Sequence, residues 1–423
     1  MTNISLFNKL HNMVKRRPAV RCDSYSTRLL CLFLVFLVIG GGVIMSFPRH
    51  GETRDVSFQD IGAEAAVLME FSRGEVIYAL GEDKPLPPAS LTKVMMLLLA
   101  YEAMDEGRVH WDDEVTVSEK AWRTGGSQMY LDVNQVVSFG ELVTGIATIS
   151  ANDACVAVAE YLSGSEEIFV AEMNRKGQEL GLSSTLFQNT SGLPQEDHYS
   201  TALDMARIAH YYINRFPEAL ELHSQQEYTF NDIPQHNRNP LLERFPGADG
   251  LKTGHTSDAG YCLIATAEQN GMRFIAVIMN SDTRATRLRE SEILLNYAFR
   301  NYTLQSVFDS SETVAVVEIK GGTIREIEVL VKEAVEVVIP FHRQDDLVTK
   351  LNYPEKLLAP LTQHETIGNV EIYLDDVLLN ETPLIIANNV EKAGFFVLQW
   401  RSIRDFFSNT WNSFTEWLFE LIP

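Results

Sequence analysis

The chain has 423 residues, 45% hydrophobic and 22% charged, with a formal net charge of −22. That composition is globular rather than disordered, and the length holds two or three domains with a sizeable core. The first fifty residues carry seven Lys or Arg against one acid, Asp23, leaving 28 basic and 56 acidic residues for the rest, a surface that repels phosphate and speaks against a nucleic-acid partner.

The basic start (Lys9, Lys15, Arg16, Arg17, Arg21, Arg28) precedes an apolar run from Leu29 to Phe47, interrupted by Gly40–Gly42 and Ser46. That run is about one bilayer thickness of helix. Basic residues before it place the N-terminus in the cytoplasm and the rest of the chain outside. Gly40–Gly42 can supply the small-residue cleavage site of a signal peptide. The length of the run, and the lack of an A-x-A pattern near Ser46, favour an uncleaved anchor over residues 1–50. Cys22 and Cys31 lie in or before this segment; Cys155 and Cys262 are expected to be buried free thiols rather than a pair. No Cys/His cluster has metal-ligand spacing, and no cofactor is expected.

Ala65–Phe71 and Glu75–Leu80 read as a hairpin joined at Ser72-Arg73-Gly74. Pro85, Pro87 and Pro88 end regular structure, and Ser90 opens a helical stretch that runs to Glu106 and stops at Gly107. Residues 139–225 read as mainly helical, with apolar residues three and four apart in Glu141–Thr148, Ala154–Leu162 and Thr201–Asn214. Gly260–Ala267 and Met272–Met279 form a second hairpin at Asn270-Gly271. Glu290–Phe299 reads as a closing helix. The expected architecture for residues 58–302 is α/β of the α+β kind: an antiparallel sheet flanked by helices, with a helical insertion between its first and last strands.

After about residue 303 the texture changes. Thr313–Ile319, Ile324–Val331, Val335–Ile339, Leu347–Asn352, Val370–Leu374 and Pro383–Ile386 are short β-rich runs, which predict a small all-β domain over 303–392. Over 396–423 apolar residues recur at Ile403, Phe406, Phe407, Trp411, Phe414, Trp417, Leu418 and Leu421. This pattern predicts an amphipathic, Trp-bearing helix that associates with the cytoplasmic membrane; packing on the β domain or on another subunit is the alternative.

Three short motifs occur in order: Ser90-Leu91-Thr92-Lys93, Ser150-Ala151-Asn152 and Lys252-Thr253-Gly254. A spacing of three puts Lys93 one helical turn after Ser90, on the same face. A serine hydroxyl is a poor nucleophile until a base takes its proton. A lysine does so when burial and nearby cations lower its pKa, and Lys252 is a candidate cation. A helix N-terminus at Ser90 favours developing negative charge. Ser150, between two helical runs, can pass a proton between Lys93 and a leaving amine. The Asn152 amide can donate to a substrate peptide and accept from a lysine. Lys252 and Thr253 can bind a substrate carboxylate at the start of a strand, Gly254 permits close approach of a ligand backbone, and the N–H groups of Ser90 and His255 can form an oxyanion hole. Each pattern alone is weak. All three in this order, in these local contexts, are the trio of class A β-lactamases and penicillin-binding proteins. His198 is not needed as a base, and Asp153 is expected to cap a helix.

The chain resembles the D-alanyl-D-alanine carboxypeptidases among low-molecular-mass penicillin-binding proteins. The resemblance rests on the trio and on Pro87–Met95, Asn152-Asp153-Ala154, Gly192-Leu193, Tyr199–Ala206 and Asp249–Thr256, and covers about residues 58–300. It implies a serine DD-peptidase/β-lactamase-like fold followed by the family's second domain and membrane anchor. It also implies removal of the terminal D-alanine from peptidoglycan pentapeptide through an acyl-serine that β-lactams also form. By that resemblance Ser90 is the nucleophile, Lys93 its base, and Ser150 and Asn152 line the cleft. Lys252, Thr253 and Gly254 form the substrate strand, and Arg287 is the arginine near the substrate carboxylate, with Arg284 and Arg289 close by. The family commonly has glycine where Ala151 stands, which puts rate or specificity in question rather than reaction type. Rival readings are a β-lactamase, for which no E-x-x-L-N pattern stands in residues 160–225, a DD-endopeptidase, and a non-catalytic peptidoglycan-binding protein.

Overall fold

The computed structural model describes residues 58–401, 403, 404, 410 and 411. The basic segment and apolar run expected over residues 1–50 lie outside them, as does most of the terminal helix expected over 396–423. Among the described residues no helix is long and apolar enough to cross a membrane.

The first hairpin forms as β1 (Ala65–Glu70) and β2 (Glu75–Leu80). α1 (Lys93–Asp105) follows a single 3-10 turn, Ala89–Thr92, so Ser90 sits in that turn and not in the α-helix expected to start there. The helical insertion comprises α2 (Phe139–Ile149), α3 (Asn152–Ser163), α4 (Glu166–Glu179) and α5 (Ala202–Arg215). α2 begins in a capping box between Ser138 and Glu141. β3 (Ala248–Thr256), β4 (Gly260–Gln269), β5 (Met272–Ser281) and the longer-than-expected closing helix α6 (Arg284–Asn301) complete the domain. Lys252 therefore lies inside β3, four residues past its start, because pairing with β4 extends back to Ala248.

The antiparallel sheet has the order β2-β1-β5-β4-β3. Asn270 and Gly271 both take positive φ, 53° and 76°, as the tight β4–β5 turn requires. Every residue of β1 is buried. Ala65, Val67 and Met69 join one apolar core with α1, α2, α3 and α5; Ala66 and Leu68 join another with α6. Helices thus cover both faces, and β3 is left as an edge strand.

β6 (Tyr302–Phe308), β7 (Thr313–Lys320), β8 (Glu326–Val331), β9 (Val335–Pro340), β10 (Val348–Asn352), β11 (Lys356–Leu358), β12 (Thr366–Leu374) and β13 (Val377–Ile386) make the β-rich part. β6 pairs with β9, and the remaining six form a sheet of order β10-β12-β13-β8-β7-β11. β6 and β11 were not anticipated: the first is only half-buried and the second has three residues, so neither shows an apolar run. Residues 395–401 are helical, with Phe395, Phe396 and Trp400 exposed, and Arg401 donates to the carbonyls of Gly322 and Thr323.

Candidate active site

Three prolines bring the chain out of the sheet region, and Ala89, at φ 47°, turns it sharply just before Ser90. Lys93 is fully buried. Its Nζ lies 2.9 Å from Ser90 Oγ, 2.7 Å from Asn152 Oδ1 and 2.5 Å from the Ser191 carbonyl. A neutral amine has two N–H bonds and one lone pair. Donation to Asn152 and Ser191 uses both N–H bonds and leaves the lone pair for the Ser90 proton. Burial, followed by the charge of Arg238, pushes the Lys93 pKa down to about 8. Burial is thus the leading cause, ahead of any neighbouring cation. Ser191 had no role in the sequence reading, because a backbone acceptor leaves no side-chain signature.

Ser150 occupies the left-handed turn that ends α2, at φ 66° and ψ 35°, and its hydroxyl has no hydrogen-bond partner among the described residues. Ala151 has φ −61° and ψ 116°, a region open to any L-residue, so its methyl group introduces no backbone strain. The Asn152 amide accepts from Lys93 as expected, but its Nδ2 donates to the Gly125 carbonyl at 2.7 Å, bracing the neighbouring loop. Asp153 caps less than it clamps: it accepts from Ala154 N–H, and also from Met129 and Leu131 N–H. Cys155 and Cys262 are free and buried.

β3 runs beside the Ala89–Thr92 turn. Lys252 is buried, donates to the Thr253 carbonyl at 3.2 Å, and is held well below its ordinary pKa by burial and by the charge of Lys93. Gly254 also meets a constraint that was not expected. A Cβ there would lie 3.1 Å from Ala89 Cβ and the Pro88 carbonyl and 3.2 Å from Ser90 N. The close approach that the structure shows is to the turn carrying Ser90. His255 is exposed and packs on Tyr261, with ring centroids 4.1 Å apart.

Ser90, Ser150, Thr253, Gly254, His255 and Arg287 line one cavity of about 360 Å³. Arg287 is buried; it donates to the Cys262 carbonyl at 3.3 Å, while its Nε has no partner among the described residues. Burial and then Arg284 push its pKa down to about 10. Arg289 is exposed and outside this lining. The sequence reading missed Ser127, Arg238 and Tyr261 and treated Arg284 only as a neighbour, yet all four line the cavity. Arg238 reaches it from a loop and donates to Ser127 Oγ at 2.6 Å. Three guanidiniums at one cavity make a site for an anion, most readily a carboxylate.

His198 is no base. Thr92 donates its hydroxyl proton to the Ala89 carbonyl, so His198 Nε2 donates to Thr92 Oγ1 at 2.9 Å while Nδ1 accepts from Gln188 N–H. Burial, then Lys93, lowers its pKa to about 4.

Residues 52–283 match the family described as D-alanyl-D-alanine carboxypeptidase, and residues 302–392 match the C-terminal domain of penicillin-binding protein 5. The chain belongs to the D-alanyl-D-alanine carboxypeptidase family. It is 36% identical over 349 residues to D-alanyl-D-alanine carboxypeptidase DacF of Bacillus subtilis, covering 81% of this chain and 90% of that one. It is likewise 36% identical to DacC of Escherichia coli, over 82% of this chain and 88% of the relative. Penicillin-binding protein 5 from Haemophilus influenzae has a similar structure, with 35% identity, a TM-score of 0.66, and coverage of 78% of this chain and 98% of that one. So does penicillin-binding protein D2 from Listeria monocytogenes in its ampicillin-bound form, at 33% identity and a TM-score of 0.52, over 56% of this chain and 97% of that one. The expected family and fold class are therefore those observed.

Proposed function

We propose that the chain is a serine-type D-alanyl-D-alanine carboxypeptidase that removes the terminal D-alanine from peptidoglycan stem pentapeptides and is acylated by β-lactams. The observation that carries this reading is the buried Lys93 amine, held by Asn152 and the Ser191 carbonyl with its nitrogen 2.9 Å from Ser90 Oγ, beside a cavity bearing three arginines.

In this mechanism neutral Lys93 takes the Ser90 proton as Oγ attacks the carbonyl carbon of the penultimate D-alanine. The N–H groups of Ser90 and His255 stabilise the oxyanion. Lys93 returns the proton through the Ser150 hydroxyl to the departing amine, the C–N bond breaks, and D-alanine leaves. Water then hydrolyses the ester. Thr253, Arg238, Arg284 and Arg287 hold the substrate carboxylate; Lys252, expected to share that role, is buried outside the cavity lining and donates to the Thr253 carbonyl instead.

The β-lactamase rival gains no support from the Lys93 environment, whose three partners are a hydroxyl, an amide oxygen and a peptide carbonyl, with no carboxylate. An extracytoplasmic catalytic domain tethered to the cytoplasmic membrane is part of the proposal. The basic-then-apolar start, the aromatic spacing of the terminal segment, and the exposed Phe395, Phe396 and Trp400 support it.

Incubation with a fluorescent penicillin, followed by D-alanine release from a pentapeptide, tests the reading. A stable label on the wild type, none on Ser90→Ala, and free D-alanine from the peptide are expected. Rapid drug turnover instead of a stable label would make the protein a β-lactamase, and no label on either protein would sink the active-serine reading.

A further inference from the structure

A second cavity, of about 390 Å³, adjoins the first across the nucleophile. Two stretches of chain line both. Thr253, Gly254 and His255 of β3 face the first, while Thr256 and, just beyond the strand, Asp258 face the second. Ser90 faces the first, while Pro87, Pro88 and Ala89 face the second. Ser90 therefore stands at the divide.

The remaining wall of the second cavity is formed by His198 and by the segment from Gly192 to Glu196, which follows directly on Ser191, the residue whose carbonyl holds Lys93. This wall is preformed. Asn189 Oδ1 accepts from the N–H groups of Ser191 and Gly192, and its Nδ2 donates to the Leu193 carbonyl and to Gln195 Oε1. Gly192, at φ 80°, packs so tightly that a Cβ would come within 1.8 Å of the Ala89 carbonyl oxygen.

The two cavities differ in charge. The first is lined by Arg238, Arg284 and Arg287 and no acid; the second by Glu196 and Asp258 and no Lys or Arg. Both acids are exposed, and neither has an ion-pair partner among the described residues. A peptide lying extended along the edge strand advances ~3.3 Å per residue. With its terminal carboxylate among the arginines and the penultimate carbonyl at Ser90, the residue one further back reaches the second cavity. In peptidoglycan stem peptides that residue is a diamino acid.

We propose that the second cavity is the acyl-side subsite and that Glu196 and Asp258 select peptides whose third residue carries a free side-chain ammonium; this rests on the carboxypeptidase reading above. Glu196 and Asp258 act on binding of the acyl donor, not on proton transfer at Ser90. The preference therefore appears between peptides and fades as salt screens the two exposed carboxylates.

The test uses the full chain in detergent at low salt and two pentapeptides, L-Ala-γ-D-Glu-L-Lys-D-Ala-D-Ala and its counterpart with the lysine Nε acetylated. The readout is D-alanine release, with labelling by fluorescent penicillin confirming that each variant is folded. The wild type is expected to favour the free amine about fivefold in kcat/KM, the sum expected of two exposed charge contacts. E196Q/D258N should bring the two peptides to parity, and E196K/D258K should reverse the order. Parity in the wild type, or a preference that survives in E196Q/D258N, overturns the subsite and leaves the carboxypeptidase standing. No D-alanine from either peptide by a protein that still takes the penicillin label overturns the carboxypeptidase reading and this inference with it.

Discussion

The two sheets of this protein handle charge in opposite ways. In the β-rich part the strands alternate, as in β8 with its exposed glutamates and buried Ile327, Val329 and Val331, because one face meets water. Its ion pairs, such as Lys356 with Glu318 and Arg343 with Asp375, lie on the surface, and Thr382 is its one buried polar side chain among the described residues. In the catalytic part helices cover both faces of the sheet, and Lys93, Lys252 and Arg287 are buried with no carboxylate partner among the described residues. Buried basic groups without a carboxylate partner are costly to a fold. Their concentration at one cleft marks where the sequence departs from what stability alone favours, which is the signature of a working site.

The largest effect that separates the two regions should come from Lys93→Met. Acylation by penicillin is expected to fall about thousandfold, the scale of losing a positioned base. In the wild type the acylation rate should rise with pH and level off above about 8, where the buried amine is neutral. A flat pH–rate profile, or near-normal acylation of the variant, removes Lys93 as the base.

Next in size is Ile372→Ala, which empties a fully buried position of the β core. It should cost about 2–5 kcal/mol of stability in denaturant unfolding and leave penicillin acylation at 25 °C unchanged. A matching loss of acylation would mean that the β-rich part helps shape the cleft, and the contrast between the regions would dissolve.

The last contrast is the acid response. His198 and His223 are buried, with folded pKa values of about 4 and about 3 against an ordinary 6.5. The unfolded chain therefore binds protons that the folded chain refuses. The stability present above pH 6.5 is lost as the pH falls through 6.5 towards 4 and then 3. Thermal melts across this range should show the loss in the catalytic part, where both histidines lie. An unchanged melting temperature between pH 6.5 and 4 would contradict their neutral burial.

Much of this was legible in the residues themselves. Periodicity located the two hairpins and the main helices, and the trio marked Ser90, Lys93 and β3, which the structure brings together at one cleft. What escaped has a common cause. Ser191 contributes through a peptide carbonyl, which any residue possesses. Ser127, Arg238 and Tyr261 converge on the cavity from loops and from the strand beside β3, far apart in sequence, and no spacing rule joins them. Gly254 was read only as making room for a ligand, and its packing on the Pro88–Ser90 turn, a contact between segments more than 160 residues apart, leaves no local pattern. Asp153 was read by its place in a helix, whereas its oxygens reach back to Met129 and Leu131.

The contact between Gly254 and the nucleophile turn has one more consequence. Gly254 meets backbone atoms and the Ala89 methyl group there, none of which a rotamer change could swing aside. In the proposed reaction the turn and strand that receive a carbonyl are already packed together before a ligand arrives, which spares the binding energy of assembling them. A fused bicyclic ring, which cannot bend to suit its host, thus meets a cleft that does not ask it to.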